Sequence, residues 1–258
     1  DWELLIVDDG STDGTVAAVR EFCDERIRVI GNNTNRGIAV RLNSAVALSR
    51  GEYFARMDGD DVCYPRRLER QVSYVHAHPD VDLTGAWMLV FGRHGQPVGK
   101  RTSAAGRITD ISLIRSMPLS HPTFFGKRAW FAANPYAEWP AHFQDQQLLL
   151  RTVKHSNIHV IPEILLGYRE EQLTLAKQIR YRGSFFRNAR PLARQLGGRG
   201  AALLLTAQAA KLLVDAVAIT TGLRARLLRY RAVPASDVES REWQSVWNSV
   251  QDDHAAPA

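Results

Sequence analysis

Cysteine is scarce in this chain, which has only Cys23 and Cys63 among its 258 residues. Two thiols are too few for a disulfide framework or a cysteine-rich zinc site, so we expect a reducing compartment, the cytoplasm. No signal-peptide pattern, internal repeat or low-complexity tract is present. With 45% hydrophobic and 23% charged residues, the composition is that of an ordinary globular protein rather than a disordered or fibrous one.

An uninterrupted hydrophobic run of membrane-spanning length is also missing. Residues 201–223 come closest, but Lys211 and Asp215 interrupt them near the centre. Each of these charges costs roughly 2.5–3.5 kcal/mol inside a bilayer, and their i,i+4 spacing is typical of a soluble helix. We therefore expect a helix packed on the rest of the protein with a solvated basic face. The alternative is interfacial membrane binding through the four arginines at positions 224–231.

Acidic residues are almost absent from one region. Residues 177–231 hold 12 Lys and Arg against a single acid, Asp215, whereas residues 232–258 hold one Arg against five acids. The overall charge of +6 therefore arises in the C-terminal part alone. This distribution does not indicate a protein-wide nucleic-acid surface, but it is compatible with a local anionic partner such as a membrane surface.

The first half of the sequence alternates between strand and helix patterns. Strands are predicted at 3–7, 27–30 and 53–57, and helices at 13–24, 38–49 and 65–76. This alternation predicts an α/β fold with a parallel sheet, whose ligands bind at the carboxyl ends of the strands.

The remaining elements are less regular. Strands are predicted at 82–91, 158–161 and 165–168, and helices at 109–116 and 144–155. Beyond residue 171 only helices are expected: two long ones broken at Gly197-Gly198, and a short amphipathic one near 238–250.

Two acidic clusters follow predicted strands, Asp8-Asp9 and Asp58-Gly59-Asp60-Asp61. Carboxylates crowded on a tight turn repel one another unless a cation lies between them, and hard oxygen ligands suit Mg²⁺ or Mn²⁺. The alternative is a solvated acidic turn in which Asp61 caps the next helix.

Spacing excludes three other kinds of acidic or nucleotide site. A calcium-binding EF-hand loop starting at Asp9 requires Glu at its twelfth position, which is Arg20. A haloacid dehalogenase-type phosphatase requires a second Asp two residues after Asp8, where Gly10 stands. A dinucleotide-binding domain requires G-x-G-x-x-G after its first strand, and this pattern is absent.

Several separate segments together resemble the family 2 glycosyltransferases of GT-A fold. The similarity lies in residues 2–15 (WELLIVDDGSTDGT), 35–43, 50–54, 57–61 with the D-x-D pattern, and 65–71. It extends in the right order to about residue 170. The resemblance implies a GT-A domain over 1–170, a mostly parallel sheet flanked by helices, followed by an all-helical basic extension over 171–258. Family members also have an earlier strand and helix, so we expect this chain to be truncated at its N-terminus.

The resemblance also implies residue roles on the donor side. Asp8 and Asp9 are expected to contact the uracil and ribose of a nucleotide sugar, with Arg36 close to the nucleotide. Asp60 is the expected direct ligand of a divalent cation, Mg²⁺ or Mn²⁺, with Asp58 assisting and lying nearer the ribose.

On the acceptor side, Asp145 matches the family's general base, although Gln144 replaces the usual acidic neighbour. The alternative for Asp145 is a helix N-cap carboxylate. His121 is expected to line the acceptor pocket, the alternative being a structural histidine. Arg169 matches a family Tyr-Arg pair, but Glu171 stands where a histidine often follows, which weakens a role for that pair with the donor phosphates.

The implied activity is inverting, metal-dependent transfer of a sugar from a nucleotide diphosphate sugar, UDP-linked, to a hydroxyl of a saccharide or lipid-linked acceptor, as in cell-surface polysaccharide synthesis. The expected location is the cytoplasm, with peripheral contact to the inner face of the cell membrane and no nucleic-acid partner. The alternative function is that of a catalytically inactive remnant that binds nucleotides or another protein.

Overall fold

The computed structural model of the chain describes residues 1–31, 34–109, 117–138, 142–170, 174–223 and 233–255. Its first elements alternate as predicted: β1 (Leu4–Asp8), α1 (Thr15–Arg20), β2 (Ile27–Gly31), α2 (Ile38–Leu48), β3 (Tyr53–Ala55), β4 (Val62–Cys63) and α3 (Arg67–Ala77). The middle of the chain forms β5 (Leu83–Phe91), β6 (Pro97–Arg101), β7 (Gly106–Arg107), β8 (Phe125–Lys127), α4 (Arg128–Ala133), α5 (Gln144–Thr152) and β9 (Ile158–Arg169). Three helices follow: α6 (Leu175–Arg187), α7 (Ala189–Thr220) and α8 (Asp237–Ala255). The helix predicted at 109–116 lies, apart from Thr109, outside the described residues.

The strands form two sheets. β1 and β2 pair in parallel, with Leu4 opposite Ile27 and Asp8 opposite Gly31, and no other described strand joins them. The larger sheet has the order β3-β8-β5-β9-β4, with β6 added to β5 and β7 to β9. An α/β fold flanked by helices is therefore confirmed.

The expected mostly parallel arrangement of the sheet is wrong in its detail. In the larger sheet, the described pairs are antiparallel except for β5 with β9. One cause is that β6 returns along β5 through a short turn, and a hairpin return makes neighbouring strands antiparallel. The other antiparallel pairs come from the return of β8 beside β3 and β5, and of β9 beside β4 and β7. The predicted strands at 158–161 and 165–168 are one continuous strand, β9, which gives β5 its long parallel partner.

The helical extension shares the main hydrophobic core. This core contains Phe131, Phe143 and Leu148 from the α/β part, and Phe185 and Leu204 from the extension. Since aromatic and aliphatic side chains are fully removed from water there, burial stabilises the contact between α5, α6 and α7. The expectation that the long helix packs on the rest of the protein is thus met along one of its faces.

Two features define α6 and α7. Gly197 interrupts α7 with φ +73° and ψ 164°, so the predicted break is confirmed; positive φ is a conformation that glycine adopts without steric cost. Arg182 of α6 donates to the carboxylate of Asp215 from Nε at 2.9 Å and from Nη2 at 2.7 Å, and to Oε1 of Gln208 at 2.8 Å. All three side chains are buried, so this network fixes the two helices against each other.

Helix α8 packs against β5 and the turn that follows it. Trp243 is fully buried, its indole N–H donates to the carbonyl of Gly95 at 2.6 Å, and its ring lies 4.7 Å from that of Phe91. Lys100 of β6 forms an ion pair with Glu239 at 2.6 Å. The predicted amphipathic segment is therefore a helix whose apolar face covers one end of the sheet.

Candidate active site

The acidic turn after β3 opens into a cavity of about 670 Å³. Asp58 and Asp60 both line this cavity, as the strand-end position predicts. Asp61 turns inward instead and accepts a hydrogen bond from the backbone N–H of Arg169 at 3.0 Å. Helix α3 begins only at Arg67, so Asp61 does not cap it. Burial raises the pKa of Asp61 to about 7, with the charges of Asp58 and Asp60 adding to the effect and the Arg169 N–H opposing it.

Asp145 is far from the acidic turn in the sequence, but it lines the same cavity. It is the second residue of α5, with Phe143 at the N-cap position, so it is not a helix cap. Burial raises the pKa of the Asp145 carboxyl, whereas the backbone N–H of Gln146 and the charge of Arg56 oppose that rise. The arrangement therefore brings a partly buried carboxylate to face the acidic turn.

His121 is a buried member of the cavity wall. Its ring nitrogen Nε2 lies 3.0 Å from the hydroxyl of Tyr136, and its ring packs against Phe124. Burial, with the charge of Arg56 acting in the same direction, lowers its pKa well below the usual 6.5. The imidazole is therefore neutral at pH 7, with one nitrogen engaged by a tyrosine.

The other predicted donor residues do not line the cavity. Asp8 accepts hydrogen bonds from the N–H groups of Gly10 and Ser11, both at 3.1 Å, which closes the turn after β1. The adjacent Asp9 instead reaches across to the loop before α2, as described next. The structure brings Asp58, Asp60, Asp145 and His121 together in one cavity wall, which does not include Asp8 and Asp9 at the end of β1 or Arg36 in the loop before α2.

Asp9 organises the loop that leads into α2. Its carboxylate accepts from the backbone N–H of Arg36 at 2.7 Å, from that of Gly37 at 2.9 Å, and from Nε of Arg41 at 2.7 Å. Burial opposes ionisation of Asp9, but these three donors lower its pKa overall. The Arg36 side chain is exposed. Ile38, the first residue of α2, lines the cavity, so this loop forms part of its rim.

Sequence reasoning gave no role to three arginines of the cavity wall, Arg56, Arg101 and Arg182, and only a weakened donor role to a fourth, Arg169. Arg56 is buried at 4% exposure and forms an ion pair with Asp58. One signal pointed to it, because residues i and i+2 of an extended segment lie on the same side. For Arg182 no local signal existed, since α6 reaches the cavity through tertiary packing.

The extension contributes to the site directly. Gln178, Tyr181 and Arg182 of α6 form part of the cavity wall. Arg169, at the end of β9, donates from Nε to the backbone carbonyl of Asp60 at 2.9 Å and so holds the acidic turn in place. The site is thus assembled from both halves of the chain.

Asp58 and Asp60 supply only part of the ligand set that a bound cation needs. Among the described residues, no group of three or more His, Cys, Asp or Glu side chains is arranged to bind a metal. Asp58 and Asp60 supply hard oxygen ligands, and Mg²⁺ is usually bound by one or two carboxylates together with substrate phosphates and water. The pair therefore fits a divalent cation that the substrate helps to bind.

Comparison with known proteins identifies the family. The family model for "Glycosyl transferase family 2" matches residues 1–138, which is more than half of the chain. The putative glycosyltransferase EpsE of Bacillus subtilis is 42% identical over 97 residues, covering 36% of this chain and 35% of EpsE. The Escherichia coli protein WfgD, a UDP-Glc:alpha-D-GlcNAc-diphosphoundecaprenol beta-1,3-glucosyltransferase, is 31% identical over 160 residues, covering 62% of this chain and 61% of WfgD.

Similarity to solved structures concerns the fold. The crystal structure of S. aureus TarS 1-349 in complex with UDP matches with a TM-score of 0.59 at 20% identity, covering 78% of this chain and 60% of the 1-349 chain. The chain thus spans between about a third and three fifths of the length of these relatives. The resemblance seen in the sequence is confirmed, including the GT-A fold. The chain belongs to glycosyl transferase family 2.

Proposed function

We propose that the chain is the catalytic part of an inverting, metal-dependent glycosyltransferase that moves a sugar from a UDP-linked donor to a hydroxyl of a saccharide or lipid-linked acceptor. One observation carries the proposal: Asp58 and Asp60 line the same cavity as Asp145. This supports the proposal, because two carboxylates suited to a divalent cation share a cavity with a candidate base, as a single displacement requires. A volume of about 670 Å³ is within the range of small-molecule sites.

The donor side of the proposal rests on family membership and on named relatives. TarS was crystallised with UDP, and WfgD is named as an enzyme that uses UDP-glucose. In this chain Asp8, Asp9 and Arg36 would contact the nucleotide at the rim, and Asp58 its ribose. The Asp9 carboxylate already accepts hydrogen bonds from two backbone N–H groups and from Arg41. We therefore assign it two roles, holding the loop before α2 in shape and contacting the nucleotide.

A divalent cation, Mg²⁺ or Mn²⁺, would be held by Asp60 with Asp58 assisting. When bound, such an ion supplies Lewis-acid stabilisation of the negative charge on the departing diphosphate. The protein's own part is to aim the carboxylates: Arg169 fixes the backbone at Asp60, and Arg56 fixes the carboxylate of Asp58.

Asp145 would accept the proton of the acceptor hydroxyl, and general base catalysis typically contributes ~10²–10⁴-fold in rate. Burial raises the pKa of this carboxyl, which strengthens it as a base, while the positive charge of Arg56 favours its ionised form. Neutral His121, buried with Tyr136, would form part of the acceptor wall. With Asp145 as the one assigned base and no nucleophile assigned, a single displacement inverts the configuration of the sugar.

Helix α7 supports a membrane-associated location and a lipid-linked acceptor. By length and composition this helix is apolar enough to cross a membrane, and only 22% of its most apolar window is buried. Between residues 203 and 217 its outward face exposes Leu203, Leu213, Val214 and Val217, whereas the exposed arginines of the helix, at 190, 194 and 199, lie nearer its start. We propose that this face lies on the membrane surface, on the cytoplasmic side. The buried Arg182–Asp215 pair keeps the opposite face on the protein.

The arginines at 224–231 follow this face in the sequence and lie outside the described residues. Basic residues beside an apolar interfacial helix strengthen contact with anionic lipids. An apolar face next to a basic segment matches an acceptor that is itself anchored in the membrane.

The proposed activity is tested with a panel of nucleotide sugars in a thermal-shift assay, with Mn²⁺ and with excess chelator. We expect UDP-sugars to raise the melting temperature only when the metal is present, followed by UDP release in a turnover assay. A chain that binds UDP but releases none from any donor would favour the alternative of an inactive nucleotide-binding remnant.

A further inference from the structure

The four arginines of the cavity differ in how their nitrogens are paired. Three have polar partners: Arg101 with Glu170 at 2.5 Å, Arg169 with the carbonyl of Asp60 at 2.9 Å, and Arg182 with Asp215 at 2.7 Å. Arg56 is more deeply buried, yet its Nε and Nη1 have no hydrogen-bond partner in the part of the chain that the structure describes. A guanidinium carries five N–H donors, so most of those on Arg56 remain uncommitted.

Arg56 is held firmly despite these open donors. Its backbone N–H donates to the carbonyl of Phe124 at 2.8 Å, and its own carbonyl accepts from Nη2 of Arg67 at 2.6 Å. Its Nη2 pairs with the carboxylate of Asp58. Unpaired buried donors are costly, because the folded chain loses their hydrogen bonds to water without replacement. Such groups in a cavity wall point to a ligand that completes them.

The position of Arg56 indicates which part of a ligand it meets. It contacts Asp58 directly, and its charge acts on the carboxyl of Asp145 and on the ring of His121, so it lies between the acidic turn and the base. In the proposed reaction the diphosphate is bound at Asp58 and Asp60, and the acceptor hydroxyl at Asp145. The sugar that is transferred has to occupy the space between them.

We infer that Arg56 binds the transferred sugar, donating hydrogen bonds from its uncommitted N–H groups to an oxygen substituent of the ring. The inference rests on the proposed function and adds to it a residue that determines which sugar is accepted. Because a guanidinium only donates, the partner must be an acceptor oxygen: a hydroxyl, the carbonyl of an acetamido group, or a carboxylate. A sugar without such an oxygen at that position would leave the buried donors unpaired and would be disfavoured.

The test separates sugar binding from nucleotide binding. Affinities are measured by isothermal titration calorimetry in Mn²⁺ for UDP and for UDP-glucose, UDP-galactose, UDP-N-acetylglucosamine and UDP-glucuronate. The variants are Arg56→Met, which keeps the length of the side chain, and Arg56→Lys, which keeps the charge with fewer donors. Arg66→Met makes the same exchange on the exposed start of α3 and serves as the control.

In Arg56→Met we expect the Kd of the UDP-sugar preferred by the wild type to rise about tenfold or more, since hydrogen bonds to a charged group contribute that much to affinity. The Kd of UDP should rise less than that of the UDP-sugar, because loss of the pair with Asp58 weakens both ligands whereas loss of the sugar contact weakens only the UDP-sugar. Arg56→Lys should lie between, and Arg66→Met should match the wild type. If Arg56→Met does not fold, Arg56→Lys answers the same question through the change in the Kd of the UDP-sugar relative to that of UDP.

Equal weakening of UDP and UDP-sugar would overturn the inference, because Arg56 would then act only through Asp58. Unchanged affinity for every UDP-sugar would overturn it as well. A wild-type protein that binds no UDP in Mn²⁺ would instead refute the proposed function, and the inference with it, so the two failures give different results.

Discussion

The ring of Phe185 in α6 stacks on the ring of Phe143, with centroids 4.0 Å apart and an interplanar angle of 15°. Phe143 directly precedes α5, the helix that presents Asp145 to the cavity. The extension therefore supports the element that carries the proposed base, in addition to lining the cavity through Tyr181 and Arg182. Stacked, buried aromatic pairs add packing energy to the hydrophobic term.

We expect Phe185→Ala to lower the free energy of unfolding by about 3–5 kcal/mol, the usual cost of truncating a buried phenylalanine. Urea denaturation followed by circular dichroism measures this change. Phe186→Ala is the matched control, because the adjacent ring is exposed and its loss should change stability by less than about 0.5 kcal/mol. Equal effects of the two substitutions would contradict the packing described for α6.

For the metal, we expect Asp60→Ala to abolish the Mn²⁺-dependent binding of UDP, because the turn loses the carboxylate proposed as the direct cation ligand. Calorimetry with and without chelator measures this loss. Asp24→Ala removes a carboxylate that pairs with Arg26 on the exposed surface and should leave UDP binding unchanged. Full UDP affinity in excess chelator would refute the metal assignment.

For the base, we expect Asp145→Asn to lower turnover by about two to four orders of magnitude while metal-dependent donor binding stays nearly intact. The amide keeps the size of the side chain and removes its basicity. Glu163→Gln is the control, since that carboxylate is paired with Arg70 away from the cavity. If Asp145→Asn retained turnover close to the wild-type rate but bound the donor weakly, Asp145 would be a binding residue instead.

His121 should make the fold sensitive to mild acid. Burial holds its folded pKa well below 6.5, whereas the unfolded chain binds a proton near pH 6.5, so this contribution to stability is complete at pH 8 and is lost as the pH falls through 6.5. We expect the free energy of unfolding to be lower at pH 5.5 than at pH 8. Urea denaturation at both pH values measures it, and His121→Gln should show a correspondingly smaller drop. An unchanged pH dependence in that variant would show that His121 is protonated without cost in the folded protein.

The outward face of α7 should bind anionic vesicles. We expect the double substitution Leu213→Asp and Val217→Asp to release the protein from sedimenting phosphatidylglycerol vesicles, because two carboxylates would enter the apolar, negatively charged interface. Val238→Asp on the exposed start of α8 is the control and should leave binding unchanged. Equal vesicle binding by the double variant and the wild type would refute the membrane proposal.

The sequence was sufficient to predict what depends on local pattern. Alternating apolar runs predicted β1, β2 and β3, Gly197 predicted the break in α7, and the acidic turn after β3 predicted Asp58 and Asp60 at one cavity. The resemblance to family 2 supplied Asp145, whose approach to that turn no periodicity could reveal.

What the sequence did not predict depends on contacts between distant segments. The mixed order of the larger sheet follows from where β8 and β9 return, and neither short strand length nor alternation specifies a pairing partner. The apolar outward face of α7 was expected to be basic, because composition counts charges without saying which side of the helix is buried. Arg56 was overlooked because its spacing from Asp58 indicates only that the two side chains lie on one side, whereas its burial in the cavity wall is known only from the structure.

The packing of α8 has a consequence for the order in which the molecule forms. Trp247 of this helix lies against Arg169, the residue whose guanidinium holds the carbonyl of Asp60, and Trp243 fills the space over Gly167. A chain that emerges from the ribosome N-terminus first exposes Asp58 and Asp60 long before α8 is synthesised. The turn that would hold the cation therefore reaches this support only when α8 docks, so a nascent chain that has not yet reached α8 should bind metal and nucleotide less well than one in which α8 has docked.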